Sequence, residues 1–219
     1  MGKKILVLCT TDSMIYNFLV PYIVDLETSG NTVFCACSKT GFYFDVLQNK
    51  HGLSIEKIDF QRSPYDIRNV NAYKKLLKLV KKEKIDIIFC HEPVGGAMGR
   101  IVGHKCRCKV IYMAHGFHFF KGAPKKSMIY YAVEKWLSKY TDALITINQE
   151  DYDAAQGFFA RNVYKTNGIG IDTSKFVYSP DPHYLREELC LNDNSVVILS
   201  VGELIKRKNH RVVIQAISQ

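Results

Sequence analysis

Four short polar segments, each following an apolar run, contain the residues best suited to chemistry. Two of these segments contain histidine, a residue that exchanges protons near neutral pH and is a common catalytic group. If the apolar runs are parallel strands, their carboxyl ends share one edge of a sheet, where open sheets bind ligands. We therefore predict a site at that edge, against the alternative that each histidine is an ordinary surface or core residue. The segments are residues 10–13, 91–93, 115–118 and 148–150.

The third segment continues into a loop with an unusual composition. Residues 117–124 (FHFFKGAP) are aromatic and basic, and the loop is long for a connection between a strand and a helix. Gly116, just before it, permits close backbone approach. These features are typical of a substrate-binding loop. The alternative is a hydrophobic cover over the edge of the sheet.

A second candidate site lies near the end of the chain. Residues 202–210 (GELIKRKNH) place a glycine turn and a cluster of cations before a predicted helix. The free N–H groups and positive dipole of a helix N-terminus attract phosphate, so the segment could hold a diphosphate. It matches neither the Walker A motif nor the G-x-G-x-x-G fingerprint, and a plain solvated turn remains the alternative.

The elements around these segments alternate between strand and helix patterns. This alternation predicts an α/β fold with a Rossmann-like parallel sheet flanked by helices. The predicted strands are 4–9, 32–37, 54–58, 86–91, 109–114, 143–148 and 163–166. The predicted helices are 16–29 (capped by Ser13), 42–50, 70–84, 94–104, 125–139 and 150–159.

The pattern changes after residue 166. Residues 167–183 contain two glycines and two prolines, which indicates a linker. A helical patch at 184–189, an apolar strand at 195–201 and a helix from 211 follow, too few elements to enclose a core. We therefore predict one domain over residues 1–176, and a linker with the start of a second, truncated lobe over residues 177–219.

The composition excludes several classes of protein. The chain has 219 residues, is 47% hydrophobic and 23% charged, and has no apolar run long enough to span a bilayer, so it is an ordinary globular sequence. Its seven cysteines are an odd number scattered through strand-like segments, which indicates reduced thiols in the cytosol. The cluster at 104–108 (HKCRC) lacks zinc spacing and is rich in cations, so incidental thiols are favoured over a metal site.

The net charge of +9 indicates an anionic partner. Nucleic acid, an anionic membrane surface and a diphosphate substrate all satisfy this condition. Charge alone does not choose between them.

Four segments together resemble the family 4 glycosyltransferases of bacterial capsule and exopolysaccharide synthesis. They are residues 112–124, 132–153, 168–176 and 199–210, in the order and spacing of that family. The resemblance implies a GT-B fold of two Rossmann-like lobes, of which this chain is the N-terminal lobe and the start of the next. It also implies retaining transfer of a sugar from a nucleotide-sugar, typically UDP-linked, to a polyprenyl-diphosphate-linked saccharide, without a metal or other cofactor.

The resemblance also implies roles for residues by their position. His115 is similar to the family histidine that faces the donor sugar, and is the expected catalytic residue. Lys208 is similar to the lysine that holds the donor diphosphate, and Gly202 to the glycine turn before it. The expected donor-binding residues are Gly116, Gly202, Lys206, Arg207, Lys208 and Asn209. The expected acceptor-binding residues are Thr11, Asp12, Ser13, Met14, His91, His118 and Lys121.

Two departures from the family pattern affect the expected activity. Many members have an arginine directly after the glycine, where this chain has Glu203, so Lys206 or Arg207 would supply that cation. The paired glutamates of the family would lie beyond residue 219. Because the transfer depends on positioning and on stabilising the leaving diphosphate, we expect the chain alone to be inactive or nearly so.

Three alternatives to an enzyme of this family remain open. The chain could be a non-catalytic, membrane-docking lobe that works with a separate donor-binding polypeptide, as in split glycosyltransferases. A nucleic-acid-binding protein is disfavoured because no reading module is recognisable. A sugar-nucleotide epimerase would need an acid–base set that the sequence does not show.

Basic and aromatic residues are interleaved in two regions of the sequence. Lysines crowd the predicted helix 70–84, and Lys121, Lys125, Lys126, Lys135 and Lys139 lie among aromatic residues including Phe119, Phe120, Tyr130, Tyr131 and Trp136. Such surfaces bind anionic bilayers. We predict a cytoplasmic protein, peripherally attached to the membrane through the second group, against the alternative of ordinary helices with solvated lysines.

Overall fold

The computed structural model describes residues 2–175, 183–192, 194–206 and 208–218. The chain divides into two compact units, Met1–Ile171 and Asp172–Gln219. The predicted boundary between residues 176 and 177 lies outside the described residues. The first unit contains the sheet, and the second contains short helices.

Strands and helices alternate along the first unit as the hydrophobic pattern predicts. The strands are β1 Lys4–Thr11, β2 Thr32–Ser38, β3 Ile55–Lys57, β4 Ile87–His91, β5 Lys109–Ala114, β6 Ala143–Thr146 and β7 Asn162–Lys165. The helices are α1 Asp12–Met14, α2 Val20–Thr28, α3 Tyr43–Asn49, α4 Asn69–Glu83, α5 Pro93–Cys106, α6 Met128–Ser138 and α7 Gln149–Ala155. The second unit contains α8 His183–Glu188 and α9 His210–Ile217.

The seven strands form one sheet in the order β3-β2-β1-β4-β5-β6-β7. Every neighbouring pair is parallel. This arrangement confirms the Rossmann-like fold predicted from the sequence. The strand order reverses between β1 and β4, and such a switch point leaves a crevice at the carboxyl ends of the two strands.

Helices cover both faces of the sheet, and β1 shows why. Successive side chains of a strand point to opposite faces. Leu6 and Leu8 enter one buried cluster, while Val7 and Cys9 enter the other. A strand that is buried on both faces has a continuous run of apolar residues, and this run predicted β1.

The first helical segment differs from the prediction. Ser13 was expected to cap a helix starting at residue 16, but the helix begins at Asp12 and Thr11 is the N-cap residue. A π-helical turn at Ile15–Leu19 then joins α1 to α2. Pro21 lies at the start of α2 and has no N–H to donate, which explains why the regular hydrogen-bond pattern changes there.

The predicted strand at 195–201 is wrong. These residues form no strand, and Val196, Leu199 and Val201 are 87%, 83% and 84% exposed. A strand needs a hydrogen-bonded neighbour, and the described residues of the second unit contain no other strand. The apolar pattern therefore has no sheet to join in this unit.

The cysteines are free thiols, as predicted. Burial raises the pKa of Cys35 and of Cys90 to about 12, so both remain protonated and unreactive at neutral pH. Within the described ranges no group of three or more His, Cys, Asp or Glu side chains is arranged to hold a metal ion. None of the described helices is both long and apolar enough to cross a bilayer.

Helix α5 lies unusually close to the sheet. A Cβ atom added at Gly99 would lie 2.6 Å from Cβ of Cys90 and 3.1 Å from a methyl carbon of Leu8. Added Cβ atoms at Gly96 and Gly103 would overlap the ring of Tyr112 and a methyl group of Val110. Glycine at these positions, on one face of the helix, therefore permits the contact with β4 and β5.

We predict that Gly99→Ala lowers the free energy of unfolding by about 1–3 kcal/mol, because the new methyl group would overlap Cys90 and Leu8 in a packed core. Gly41→Ala is the matched control, since a Cβ there has no neighbour within 4 Å. Urea denaturation of both variants measures the difference. Equal midpoints for the two variants would contradict the proposed close packing.

Candidate functional site

The carboxyl edge of the sheet brings two of the predicted segments together. Strands β4 and β5 are paired in parallel, with His91 beside Met113. The next turn of the chain therefore places His115 close to His91. This confirms that the two histidines converge at one edge, as the strand pattern predicted.

The two imidazole rings form a hydrogen-bonded pair. Nδ1 of His91 lies 3.0 Å from Nε2 of His115. Burial lowers the pKa of His91 to about 3, and the neighbouring His115 contributes to the shift. Burial also lowers the pKa of His115 to about 4. Both rings are therefore neutral at physiological pH, and one donates its N–H to the other.

Each ring has one further nitrogen without a partner. Nε2 of His91 and Nδ1 of His115 are buried, and neither has a hydrogen-bond partner within the described part of the chain. Orphaned buried polar atoms are rare in native proteins and suggest a place for water or a ligand. His91 is fully buried, whereas His115 is only half-buried. His115 is thus the ring that a ligand can reach, and His91 orients it.

Glu92 belongs to the predicted segment 91–93 but has no role among the expected binding residues, and it lies at the switch point. Its Oε2 accepts hydrogen bonds from the backbone amides of Thr10 (2.8 Å) and Thr11 (3.2 Å), so it joins the ends of β4 and β1. Burial raises the pKa of Glu92, although these amide hydrogen bonds oppose the shift. Its backbone has a positive φ of 61° directly before α5. In the sequence, its position between the end of a strand and Pro93 indicates that Glu92 lies at the carboxyl edge of the sheet.

A cavity of about 380 Å³ opens beside this edge, between α5 and α6. Gly116 and His118 form part of its wall, together with Glu92 and Glu134. Several of the other lining side chains are apolar: Val94, Ala97, Val133 and Leu137. A concave, mainly apolar cavity with a few polar groups is the usual form of a small-molecule site.

Glu134 is held in that wall by a buried arginine. Nη1 of Arg100 lies 2.7 Å from Oε2 of Glu134, and Nε of Arg100 donates to the carbonyl of Gly96. The guanidinium also stacks on the ring of Tyr112, 4.0 Å from its centroid. Neither Arg100 nor Glu134 was predicted. In the sequence, Arg100 follows Gly96 by four residues and so lies on the glycine-bearing face of α5, which indicates that Arg100 is buried.

The predicted acceptor residues Thr11, Asp12, Ser13 and Met14 do not line this cavity. Asp12 is fully buried, and its carboxylate accepts hydrogen bonds from the Ser13 and Phe44 amides and from the Thr40 hydroxyl. Its oxygens are thus occupied in joining α1 to the loop before α3. This arrangement favours a structural role for Asp12 over contact with an acceptor.

The loop after β5 covers the edge of the sheet with part of its aromatic side chains, while its role in substrate binding stays a prediction. Phe117 and Phe119 are buried and stacked 4.7 Å apart, so half of the loop covers the sheet edge. His118 points the other way and packs against Tyr130. The loop is also tied to α7, because the amides of Phe117 and Lys121 donate to Asp151 and Glu150. The Lys121 side chain is exposed outside the cavity.

The predicted donor-binding turn belongs to the second unit. A polar turn followed by a helix is confirmed, with α9 starting at His210. The ring of His210 organises the turn through Ser200 Oγ (2.7 Å) and the carbonyl of Glu203 (3.2 Å). Lys206, Lys208 and Asn209 are exposed, whereas Arg207 lies outside the described residues. Their contact with a diphosphate stays a prediction.

A parallel sheet of this order, with polar groups gathered at its switch point, defines a Rossmann-like α/β protein of the ligand-binding kind. The model of the Glycosyl transferase 4-like family matches residues 4–148. The chain therefore belongs to the Glycosyl transferase 4-like family.

Two curated relatives are similar in sequence. A Bacillus subtilis (strain 168) protein named as glycosyltransferase EpsD is 38% identical over 226 residues, covering 99% of this chain and 57% of the relative. An Escherichia coli protein, UDP-Gal:alpha-D-GlcNAc-diphosphoundecaprenol alpha-1,3-galactosyltransferase, is 32% identical over 152 residues, covering 65% of this chain and 38% of the relative. The chain thus spans little more than half the length of the first relative.

One solved structure shows the same fold along the whole chain. Anabaena Alr3699/HepE in complex with UDP-glucose matches with a TM-score of 0.74 at 19% identity. The match covers 100% of this chain and 58% of that one. The seven-stranded, Rossmann-like architecture is therefore that of GT-B glycosyltransferase structures.

The neutral histidine pair predicts a specific pH dependence of stability. Unfolded histidines bind protons below about pH 6.5. In the folded state, burial lowers the pKa of His91 to about 3 and that of His115 to about 4. The unfolded state therefore binds more protons, and the free energy of unfolding falls as the pH drops from about 6.5 to about 4. The slope is up to about 1.4 kcal/mol per pH unit for each histidine.

His91→Phe removes one of these groups and should make that slope shallower between about pH 6 and pH 4. Urea denaturation at several pH values measures it. His51→Phe is the control, because it replaces an exposed histidine that lies outside the pair. Identical slopes in both variants and the unmodified chain would show that the pair is not held neutral.

Proposed function

We propose that this chain is the acceptor-side part of a glycosyltransferase that moves a sugar from a UDP-sugar to a lipid-linked saccharide in exopolysaccharide synthesis. The main supporting observation is the neutral His91–His115 pair, which lies at the switch point of a parallel sheet beside a mainly apolar cavity. Family membership supports the reaction class. The E. coli relative is a galactosyltransferase named for UDP-Gal and a diphosphoundecaprenol-linked sugar, and HepE is solved with UDP-glucose. Both support a UDP-sugar donor, and the first supports a diphosphoundecaprenol-linked acceptor.

The proposed transfer proceeds with retention and without a metal. His115 would face the donor sugar with the accessible part of its half-buried ring, since its Nε2 is occupied by His91. Gly116 follows with a φ of 114° and open space where a Cβ would be, so a ligand can approach the backbone. A neutral imidazole gives a directed hydrogen bond without repelling the positive charge that develops on the sugar.

The acceptor is proposed to enter the cavity between α5 and α6. Glu92 and Glu134 offer carboxylate oxygens for sugar hydroxyl groups, and His118 lies at the rim. The ion pair with Arg100 fixes Glu134, so little conformational entropy is lost when it binds a hydroxyl. The donor diphosphate is assigned to the turn with Lys206, Lys208 and Asn209, where the N-terminus of α9 adds free amide groups.

Transfer of labelled sugar from a panel of UDP-sugars to diphosphoundecaprenol-linked acceptors tests the proposal, using the gene product that contains this chain. We expect His115→Ala to lower kcat by about 100-fold or more, because a contact made in the transition state is lost. His51→Gln is the matched control and should keep full activity, since His51 is exposed and outside the cavity. Full activity in His115→Ala, or no transfer from any donor, would refute the assignment.

We also propose a membrane-facing surface. It is compatible with an enzyme and with the alternative of a non-catalytic, membrane-docking lobe. We call it the α6 surface. Ile129, Val133 and Trp136 are 55%, 46% and 49% exposed, and they follow each other at helical spacing on α6. Lys121, Lys125 and Lys126 are exposed in the preceding segment. Phe119 is buried and does not belong to this surface, contrary to the interleaving expected from the sequence.

An exposed apolar stripe beside cations fits an anionic bilayer, where a lipid-linked acceptor would be found. Attachment through α6 would also direct the cavity between α5 and α6 towards that acceptor. The protein is accordingly proposed to be cytoplasmic and peripherally attached to the membrane.

We predict that replacing Lys121, Lys125 and Lys126 by Gln weakens binding to phosphatidylglycerol vesicles by about 1 kcal/mol per cation. Flotation at low salt measures the bound fraction. The matched control replaces Lys74, Lys78 and Lys81 of α4, three exposed lysines outside the α6 surface, and should bind normally. Absence of binding by the unmodified chain at low salt would end this part of the proposal.

A further inference from the structure

A second, larger cleft lies at the opposite edge of the sheet. Its volume is about 900 Å³. The residues that line it lie in or next to the three connections that precede β5, β6 and β7. Because these strands are parallel neighbours, their amino ends meet at one edge and bring the loops together. The cleft is therefore separated by the length of the strands from the cavity at the carboxyl edge.

The charge in this cleft is strongly positive. Lys105, Arg107, Lys109, Lys139 and Arg161 line it, and Asp142 is the only acidic residue among the lining residues described. Asp142 is already engaged. Its carboxylate accepts hydrogen bonds from Lys109 Nζ and from the Val110 amide, each at 2.9 Å. Burial disfavours the ionised carboxyl, but these bonds outweigh it and lower the pKa of Asp142.

Three of the cations have no anionic partner of their own. Within the described residues, no ion pair is formed by Lys105, Arg107 or Lys139. Lys139 is instead held over the rings of Trp136 and Tyr140, at 4.7 Å and 5.2 Å from their centroids. The aromatic rings restrict the conformations of the Lys139 side chain before any ligand binds. Less conformational entropy is therefore lost on binding.

A buried hydroxyl in the wall of the cleft is also unpartnered. Thr141 is 5% exposed, and its Oγ1 has no hydrogen-bond partner within the described ranges. A buried hydroxyl without a partner costs free energy, so its presence among convergent cations needs a reason. A ligand oxygen that accepts from Thr141 and lies near the cations would supply one.

We propose that this cleft binds a phosphate group, independently of the sugar-transfer site. Phosphate presents several acceptor oxygens and up to two negative charges, which match a hydroxyl donor surrounded by Lys and Arg. The group could belong to a soluble phosphorylated molecule or to the headgroup of an anionic lipid. The second source is compatible with the α6 surface, because Lys139 follows directly after α6.

Calorimetric titration with inorganic pyrophosphate tests the soluble source, and flotation with phosphatidylglycerol vesicles, against phosphatidylcholine vesicles, tests the lipid source. All titrations use a Lys206→Gln/Lys208→Gln background, which removes cations of the proposed donor turn. Thr141→Val keeps the shape of the side chain and removes only the hydroxyl. The second cleft variant is Arg107→Asn/Lys139→Gln, in which Asn suits the left-handed backbone at residue 107.

We expect the Kd for the bound probe to rise about fivefold in Thr141→Val and about tenfold or more in the double variant. Lys78→Gln/Lys81→Gln on α4 removes the same charge outside the cleft and should leave the Kd nearly unchanged. Thermal melting should show an unchanged or higher Tm for Thr141→Val, since an unpartnered buried hydroxyl is removed.

A response to pyrophosphate supports a soluble ligand, and a response confined to phosphatidylglycerol vesicles supports a lipid headgroup. Absence of binding to both probes overturns the proposal. A Kd that is unchanged in either cleft variant, or one that changes equally in the α4 control, also overturns it. None of these outcomes depends on whether sugar transfer is detected.

Discussion

The contact between helix α5 and the sheet is the constraint on which the rest of the site depends. The helix connects β4 to β5, and the parallel pairing of these two strands places His115 close to His91. Glycine at residues 96, 99 and 103 lets the helix approach Tyr112, Cys90 and Val110. The same approach buries Arg100 against Tyr112, and Arg100 in turn holds Glu134 in the wall of the cavity.

Burial then determines the chemistry available at the carboxyl edge. A charged imidazole would lose its hydration there, so both histidines are neutral and their mutual hydrogen bond needs no counter-ion. Burial also raises the pKa of Glu92, although two amide hydrogen bonds oppose the shift. The amino edge of the sheet is positively charged instead, because the cleft there is open to solvent and rich in Lys and Arg. One sheet thus provides a neutral histidine pair at its carboxyl edge and a cationic cleft at its amino edge.

Much of this arrangement could be predicted from sequence, for a physical reason. Strands buried on both faces read as apolar runs, and parallel strands end at one edge, so the neighbourhood of His91 and His115 followed from the pattern. The partners of a polar side chain do not follow from such a pattern. Asp12 accepts hydrogen bonds from the Thr40 hydroxyl and from the Phe44 amide of α3, and Arg100 pairs with Glu134 on another helix. The wrong strand at 195–201 shows that an apolar run forms a strand only where a neighbour exists.

The most direct test of the central claim is the protonation state of the two site histidines. Long-range proton–nitrogen NMR correlations of the imidazole rings, recorded from about pH 8 to about pH 4.5, report charge and tautomer together. The structure predicts that His91 and His115 stay neutral down to about pH 5, each with one fixed tautomer. Protonation of either ring between about pH 8 and about pH 5 would show that the rings are solvated and unpaired, and would contradict the account.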